Sequence, residues 1–165
     1  MRVVGIDPGS RICAYGVVEE GPRGLSLLEV GYFDLTRISW PEKLDILYKG
    51  LKEIFLHYEP QAAAFEDIFV SRNPRSALKL GQARGVALLA AVSLGIPVHE
   101  YSPGQIKQSV STYGRASKDH VHQALKFFFP DKDLSGLRAD EADALAIALC
   151  HLFTCGFKSA VSQVL

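Results

Sequence analysis

The sequence has no uninterrupted apolar run that approaches the roughly 20 residues needed to span a bilayer, so no transmembrane helix is predicted. It has only three cysteines, Cys13, Cys150 and Cys155, which form no CxxC pair and cannot all be bridged. This pattern is typical of a reducing compartment, and we expect free thiols and a cytoplasmic protein. Asp7 also interrupts the N-terminal segment too early for a secretory signal peptide.

Neither sign of charge is in excess, because 18 Lys and Arg residues balance 18 Asp and Glu residues. A neutral total argues at first against a nucleic-acid-binding protein, whose binding domain is usually basic. The composition, 48% hydrophobic and 22% charged, is that of a globular protein and excludes wholesale disorder. The sequence contains no internal repeat, and its 165 residues suit one domain.

The hydrophobic pattern changes along the chain from a strand period to a helix period. Three short segments with Pro- and Gly-containing turns between them, residues 2–7, 12–20 and 25–34, predict an antiparallel meander. Two further strands are predicted at 61–66 and 98–101. Helices are predicted from Trp40 to before Pro60, after the loop at 71–74 as far as Leu94, from Ser102 as N-cap, from Ser117 to Phe129, and from Arg138 to about Cys155. This order predicts an α/β fold in which helices cover a mixed sheet.

Four carboxylates occupy positions that surface acids rarely take. Asp7 ends the first strand before a Pro-Gly turn, and Glu66 ends the fourth strand after five uncharged residues. Asp140 and Asp143 are about 60° apart on one face of a helix otherwise made of Ala, Leu and Ile. Buried acids are costly unless they are paired or bind a metal. Each also has an ordinary explanation, as a turn residue or as a first-turn acid near the helix dipole.

Together the four carboxylates would offer hard oxygen ligands, which favour Mg²⁺ or Mn²⁺ over zinc. Two such ions about 4 Å apart can bind the attacking and the leaving oxygen of a phosphodiester displacement. In that reaction water near one metal is the nucleophile, and the other metal stabilises the departing oxyanion. The sequence therefore predicts a metal site for phosphodiester chemistry.

Basic residues are concentrated in one part of the chain despite the neutral total. Between Ile68 and Lys118 seven basic residues accompany one acid, Glu100, which gives a local excess of +6. Phe69 also lies in this stretch, and an aromatic ring beside cations can stack on a base while the cations hold phosphates. The alternatives are core packing for Phe69 and a solvated helix face for the cations. The basic residues are Arg72, Arg75, Lys79, Arg84, Lys107, Arg115 and Lys118.

Two glycines interrupt the second long helix. Gly81 and Gly85 each cost about 1 kcal/mol relative to Ala, and they suggest close approach of another backbone, from this chain or a second subunit. The five histidines show no metal-ligand spacing, and His151 is expected to fill space in the last helix.

Three segments of the sequence resemble the RuvC family of Holliday-junction resolvases. The first is residues 5–10 (GIDPGS) with 15–17 (YGV), the second is 65–66 (FE) with 76–85 (SALKLGQARG), and the third is 139–148 (ADEADALAIA). They follow the family's order and spacing as far as about residue 152. The second segment is long and specific.

The resemblance implies an RNase H-like fold, a five-stranded mixed sheet with flanking helices, in a single nuclease domain over residues 1–165. Residues 1–155 would form its core and 156–165 a C-terminal tail. It also implies that Phe69 engages bases near the junction centre, and that Lys107 and Lys118 serve catalysis or phosphate contact. The implied ligands of two Mg²⁺ ions, for which Mn²⁺ can substitute, are Asp7, Glu66, Asp140 and Asp143.

The function implied by the resemblance is that of a homodimer whose two active sites nick opposed strands of a four-way junction. The nicks leave 5′-phosphate and 3′-hydroxyl ends that a ligase can seal, in homologous recombination and DNA repair. The implied partners are the RuvA and RuvB branch-migration proteins. Where some relatives carry His, this chain has Asp143, and Asp67 is an additional acid that we interpret as structural.

Three other functions are alternatives to junction resolution. An actin-like ATPase or sugar kinase needs a second phosphate loop and a second lobe, for which 165 residues are too few. An inactive, DNA-binding nuclease fold is disfavoured because all four candidate ligands are present. Residues 76–85 favour a resolvase over an RNase H or a transposase core. Two bound Mg²⁺ would leave the neutral chain at +4, which is compatible with DNA binding guided more by junction shape than by bulk charge.

Overall fold

The computed structural model describes residues 1–67, 73–110 and 118–162, and the side chains of 118–120 and 157–162 lie outside that description. The described strands are β1 (Arg2–Asp7), β2 (Ile12–Gly21), β3 (Gly24–Asp34), β4 (Ala62–Glu66) and β5 (Val98–Tyr101). The described helices are α1 (Trp40–Tyr58), α2 (Pro74–Val92), α3 (Pro103–Val110), α4 (Lys118–Phe128) and α5 (Ala139–Ser162). Their order confirms the predicted sequence of elements.

The strands form one mixed sheet in the order β3-β2-β1-β4-β5. The first three pair antiparallel as the predicted meander, whereas β4 pairs with β1, and β5 with β4, in parallel. The predicted five-stranded mixed sheet is therefore confirmed. Because β1, β4 and β5 run in the same direction, their carboxyl ends meet at one edge of the sheet, which we call the carboxyl edge.

Helices cover both faces of the sheet, so the molecule has three layers. On one face α1 and α2 enclose a core that includes Val4 and Phe65. On the other face α3, α4 and α5 enclose a second core that includes Val3 and Ala64. The strands at the centre are thus buried on both sides, as their nearly continuous apolar sequences require.

Helix α5 lies close to the middle of the sheet because β1 and β2 carry glycine beneath it. A Cβ atom on Gly5 would overlap the carbonyl oxygen of Ala144 and the amide nitrogen of Ala148. A Cβ atom on Gly16 would lie 2.6 Å from Cδ2 of Leu145. These glycines set the distance between α5 and the sheet, and with it the position of the acids at the start of α5.

The helix ends agree in part with the predictions. At the start of α3 the backbone N–H of Ser102 donates to Oε1 of Gln105 at 2.9 Å, and the N–H of Gln105 donates to Oγ of Ser102 at 3.3 Å, which confirms the predicted cap. The last helix does not end near Cys155 but continues to Ser162, because no proline follows to interrupt it. The predicted cap at Ser117 lies outside the described residues.

The three thiols are free, as predicted, with Cys13 and Cys150 buried and Cys155 half-buried. Within the described ranges, none of the helices is both long enough and apolar enough to cross a membrane.

Candidate active site

Asp7 and Glu66 lie side by side at the carboxyl edge and project towards α5. Side chains alternate along a strand, and Val3 and Ala64, which have the same parity as the two acids, belong to the core beneath α5. The parallel register of β1 and β4, continued by one residue, places Asp7 opposite Glu66. Adjacent strands are about 4.8 Å apart, so the two carboxylates are neighbours on the side of the sheet that faces α5.

Asp140 and Asp143 approach these two acids from the start of α5. The helix start is fixed by half of a capping box, in which the N–H of Arg138 donates to Oε2 of Glu141 at 2.9 Å. Asp140 is half-buried and Asp143 is exposed. Both acids raise the pKa of Asp7, so the predicted i,i+3 pair and the strand-end acid lie within electrostatic reach of one another.

The carboxylates change one another's proton affinity. Burial is the main cause that raises the pKa of Asp7 from 3.8 to about 7, and the negative charges of Asp143, Asp140 and Glu66 act in the same direction. Burial also raises the pKa of Glu66, with Asp143 adding to the effect and the positive charge of Lys107 opposing it. A divalent cation would relieve this repulsion, because it neutralises like charges that the protein holds together.

The donor set has the chemistry that Mg²⁺ and Mn²⁺ prefer, since all four groups are carboxylates. Among the described residues, no three carboxylate, imidazole or thiol groups already stand at a spacing that would hold one ion. The backbone thus brings the four acids to one edge of the sheet, and rotation of their side chains would complete a ligand set.

The basic residues predicted to contact DNA lie in different surroundings. Arg75 and Lys107 are exposed, whereas Lys79 is half-buried. Arg84 is almost buried, with 8% of its surface exposed, and it contacts β4 and β5 rather than solvent. Phe69, Arg72 and Arg115 lie outside the described residues, as does the side chain of Lys118.

Trp40, which the sequence pattern marks only as an apolar residue of the first helix, lies at the start of α1. The ammonium groups of Lys43 and Lys79 are 5.7 and 5.2 Å from the centre of the Trp40 ring, and the indole N–H donates to Oε1 of Gln82 at 2.5 Å. Helix α1 begins beyond the end of β3, at the carboxyl edge, so this cluster lies at the same end of the sheet as the acids. Its members come from two helices, and periodicity within either helix could not have paired them.

His151 does more than fill space in the last helix, because it forms polar contacts with neighbouring side chains. It is fully buried in α5, with Nδ1 2.7 Å from the hydroxyl oxygen of Tyr101 and Nε2 3.5 Å from Sγ of Cys155. Its ring centre is 4.4 Å from that of His99. Because Tyr101 lies opposite Glu66 in the sheet, the hydrogen bond ties α5 to the strand next to the candidate ligand.

Known proteins resemble this chain over most of its length. The family model described as crossover junction endodeoxyribonuclease RuvC matches residues 3–151. Curated relatives of that name include one from Citrifermentans bemidjiense, 41% identical over 165 residues and 99% of each chain, and one from Alkalilimnicola ehrlichii, 47% identical over 152 residues, 92% of this chain and 90% of the relative.

A solved structure of T. thermophilus RuvC in complex with Holliday junction substrate is 30% identical and aligns with a TM-score of 0.85, covering 95% of this chain and 96% of that one. This likeness confirms the expected RNase H-like fold. The family match spans most of the chain, including all four candidate ligands. The chain therefore belongs to the RuvC family of crossover junction endodeoxyribonucleases, which are nucleases that hydrolyse phosphodiester bonds.

Proposed function

We propose that this protein resolves four-way DNA junctions by hydrolysis at two metal ions, held by Asp7, Glu66, Asp140 and Asp143. Nucleases of this family are metal-dependent in general. The observation that carries the proposal is the meeting of two strand-end acids with two acids of α5, which together with burial raises the pKa of Asp7 to about 7. The T. thermophilus relative that was solved with a Holliday junction substrate supports the choice of DNA substrate.

The bound ions would supply Lewis-acid chemistry, which activates water and stabilises the leaving oxygen. The negative charges of all three other acids act on Asp7, so we expect Asp7 to be a central member of the ligand set. Lys107 is exposed beside Glu66, where an ammonium group can contact a phosphate. Phe69 and Lys118 are proposed from the family motif alone, to engage bases and phosphate respectively.

The proposed products are nicked duplexes with 5′-phosphate and 3′-hydroxyl ends, which a ligase can seal. Such an activity would serve homologous recombination and DNA repair, and a cytoplasmic location is part of the proposal. Cooperation with RuvA and RuvB is part of the proposal and rests on the family resemblance.

Paired nicks need two active sites, and α2 offers a surface on which a second copy can pack. Leu78, Leu89 and Val92 are 71%, 56% and 60% exposed. They share one helical face with Gly81 and Gly85, where an added Cβ would meet no atom within 4 Å other than the neighbouring backbone of α2 itself, among the described residues. These glycines thus have no close neighbour outside α2 in the described part of their own subunit, and we propose that a partner α2 packs against this face in a homodimer.

Dimerisation is tested by a charge on this face. Leu89→Glu should convert the dimer to a monomer in sedimentation experiments and abolish paired nicking. Leu56→Glu is the matched control, because Leu56 is 61% exposed on α1. A wild-type protein that sediments as a monomer, or a Leu89→Glu protein that remains dimeric, would contradict the assignment of this face.

Cleavage is tested with synthetic four-way junctions and linear duplexes of the same sequence, with and without Mg²⁺. We expect symmetric nicks on the junction only, and only with the metal. Asp7→Asn should bind the junction without cutting it, because it loses one anionic ligand but keeps the shape of the side chain. Failure of the folded wild-type protein to cut across a range of Mg²⁺ and Mn²⁺ concentrations would refute the proposed function.

A further inference from the structure

Arg84 lies on the inner side of α2, where its guanidinium group is held by the sheet. Its Nη1 donates to the main-chain oxygen of Glu66 at 3.0 Å, and Nη2 forms an ion pair with Oε1 of Glu100. The guanidinium carbon also lies 5.9 Å from the centre of the Phe65 ring. With 8% of its surface exposed, Arg84 is poorly placed to reach a DNA phosphate.

The carbonyl of Glu66 needs a donor that the sheet cannot supply. The N–H of Asp67 donates to a carbonyl of β5 at 2.8 Å, so alternation along β4 turns the Glu66 carbonyl towards β1. Continued by one residue, the parallel register places Asp7 opposite Glu66, and the donor to the Glu66 carbonyl would be the residue after Asp7. That residue is Pro8, which has no amide hydrogen. Arg84 therefore supplies a hydrogen bond that the ladder lacks.

We propose that Arg84 is a positioning residue for the metal site, because it fixes the main chain of Glu66 and thereby the carboxylate attached to it. The inference rests on the proposed metal site but not on junction cleavage. The arginine acts from the α2 side of the sheet, whereas the Glu66 carboxylate faces α5, so Arg84 touches neither metal nor substrate. This positioning role replaces the DNA contact that the basic sequence pattern predicts for Arg84.

The test compares two arginines of the same helix. Arg84→Gln removes the ion pair and the long donor, whereas Arg75→Gln changes an exposed arginine in the first turn of α2. Calorimetric titration with Mn²⁺ measures metal affinity in the DNA-free dimer, and junction affinity is measured separately in EDTA. Loss of an outer hydrogen bond to a ligand typically weakens metal binding by about tenfold or more.

We expect Arg84→Gln to weaken Mn²⁺ binding by about tenfold and to leave junction affinity in EDTA unchanged. Arg75→Gln should instead weaken junction affinity in EDTA and leave Mn²⁺ binding unchanged. Thermal unfolding establishes that each variant is folded at the temperature of the titration. A folded Arg84→Gln protein with wild-type Mn²⁺ affinity overturns the proposal, and an accompanying loss of junction affinity equal to that of Arg75→Gln would identify Arg84 as a DNA contact.

Two milder variants keep the proposal falsifiable if Arg84→Gln does not fold. Arg84→Lys keeps the charge and one donor, and Glu100→Gln removes the ion-pair partner, so both should weaken Mn²⁺ binding by less than Arg84→Gln. Wild-type Mn²⁺ affinity in both variants would overturn the positioning role. A wild-type protein that binds Mn²⁺ but cuts no junction would refute the proposed function and leave the role of Arg84 standing.

Discussion

Replacing Asp7 with asparagine should stabilise the metal-free protein while abolishing its nuclease activity. Burial and the neighbouring carboxylates raise the pKa of Asp7 from 3.8 to about 7. In the unfolded chain the carboxyl regains its ordinary pKa, so between these values the unfolded state releases the proton more readily than the folded state. The folded protein therefore loses stability as the pH rises through this window, and asparagine, which cannot ionise, avoids the loss.

The size of the effect follows from the pKa difference. About three pKa units correspond to roughly 4 kcal/mol once the pH exceeds both values. Solvent reaches the exposed Asp143 and screens part of the repulsion, so we expect Asp7→Asn to raise the free energy of unfolding by about 2 kcal/mol at pH 8 in EDTA. For a chain of this size that corresponds to a rise in Tm of about 4–8 °C. At pH 4 the two proteins should differ little.

Urea unfolding followed by circular dichroism from pH 4 to pH 8, in EDTA, measures this difference. Asp67→Asn is the matched control, because Asp67 is an exposed acid directly after Glu66, and its replacement should change stability by no more than about 0.5 kcal/mol. If Asp7→Asn is no more stable than the wild-type protein at pH 8, or if its advantage does not grow with pH, burial and the neighbouring acids do not raise the pKa of Asp7. Cleavage assays on the same samples establish the accompanying loss of activity.

Three further substitutions probe the surroundings of the site. Lys107→Met removes the charge that lowers the pKa of Glu66, so the rising limb of single-turnover cleavage against pH should move to higher pH. Gly5→Ala places a methyl group against the backbone of α5 and should cost about 2 kcal/mol or more in urea unfolding. Tyr101→Phe removes the hydroxyl that lies 2.7 Å from Nδ1 of His151 and should cost about 1 kcal/mol in the same measurement, with nearly wild-type cleavage.

The positions of the acids were predictable because each follows from a local pattern. Asp7 and Glu66 end apolar strands, and parallel strands place such ends at one edge. Asp140 and Asp143 are three residues apart in an apolar helix, which puts them on one face. The periodicity of the sequence does not predict the distance between α5 and the sheet, because that distance depends on Gly5 lying beneath the helix backbone.

The structural role of Arg84 could not have been predicted from the charge pattern, because its hydrogen-bond and ion-pair partners depend on the strand register. Seven cations and one acid in residues 68–118 favour a DNA-facing surface. Yet the one acid, Glu100, forms an ion pair with the buried guanidinium group of Arg84. With that pair set aside, the stretch still has six cations and no acid, so its excess of +6 is undiminished and the neutral total of the chain does not argue against DNA binding.

Diffraction from crystals grown with Mn²⁺, recorded at the manganese absorption edge, tests most directly whether the four carboxylates form the metal centre. We predict two anomalous peaks about 4 Å apart at the carboxyl edge, each within about 2.2 Å of carboxylate oxygens from Asp7, Glu66, Asp140 or Asp143. Asp7→Asn crystals should lose at least one peak. Ions bound elsewhere, or none at a concentration of Mn²⁺ that supports cleavage, would contradict the account.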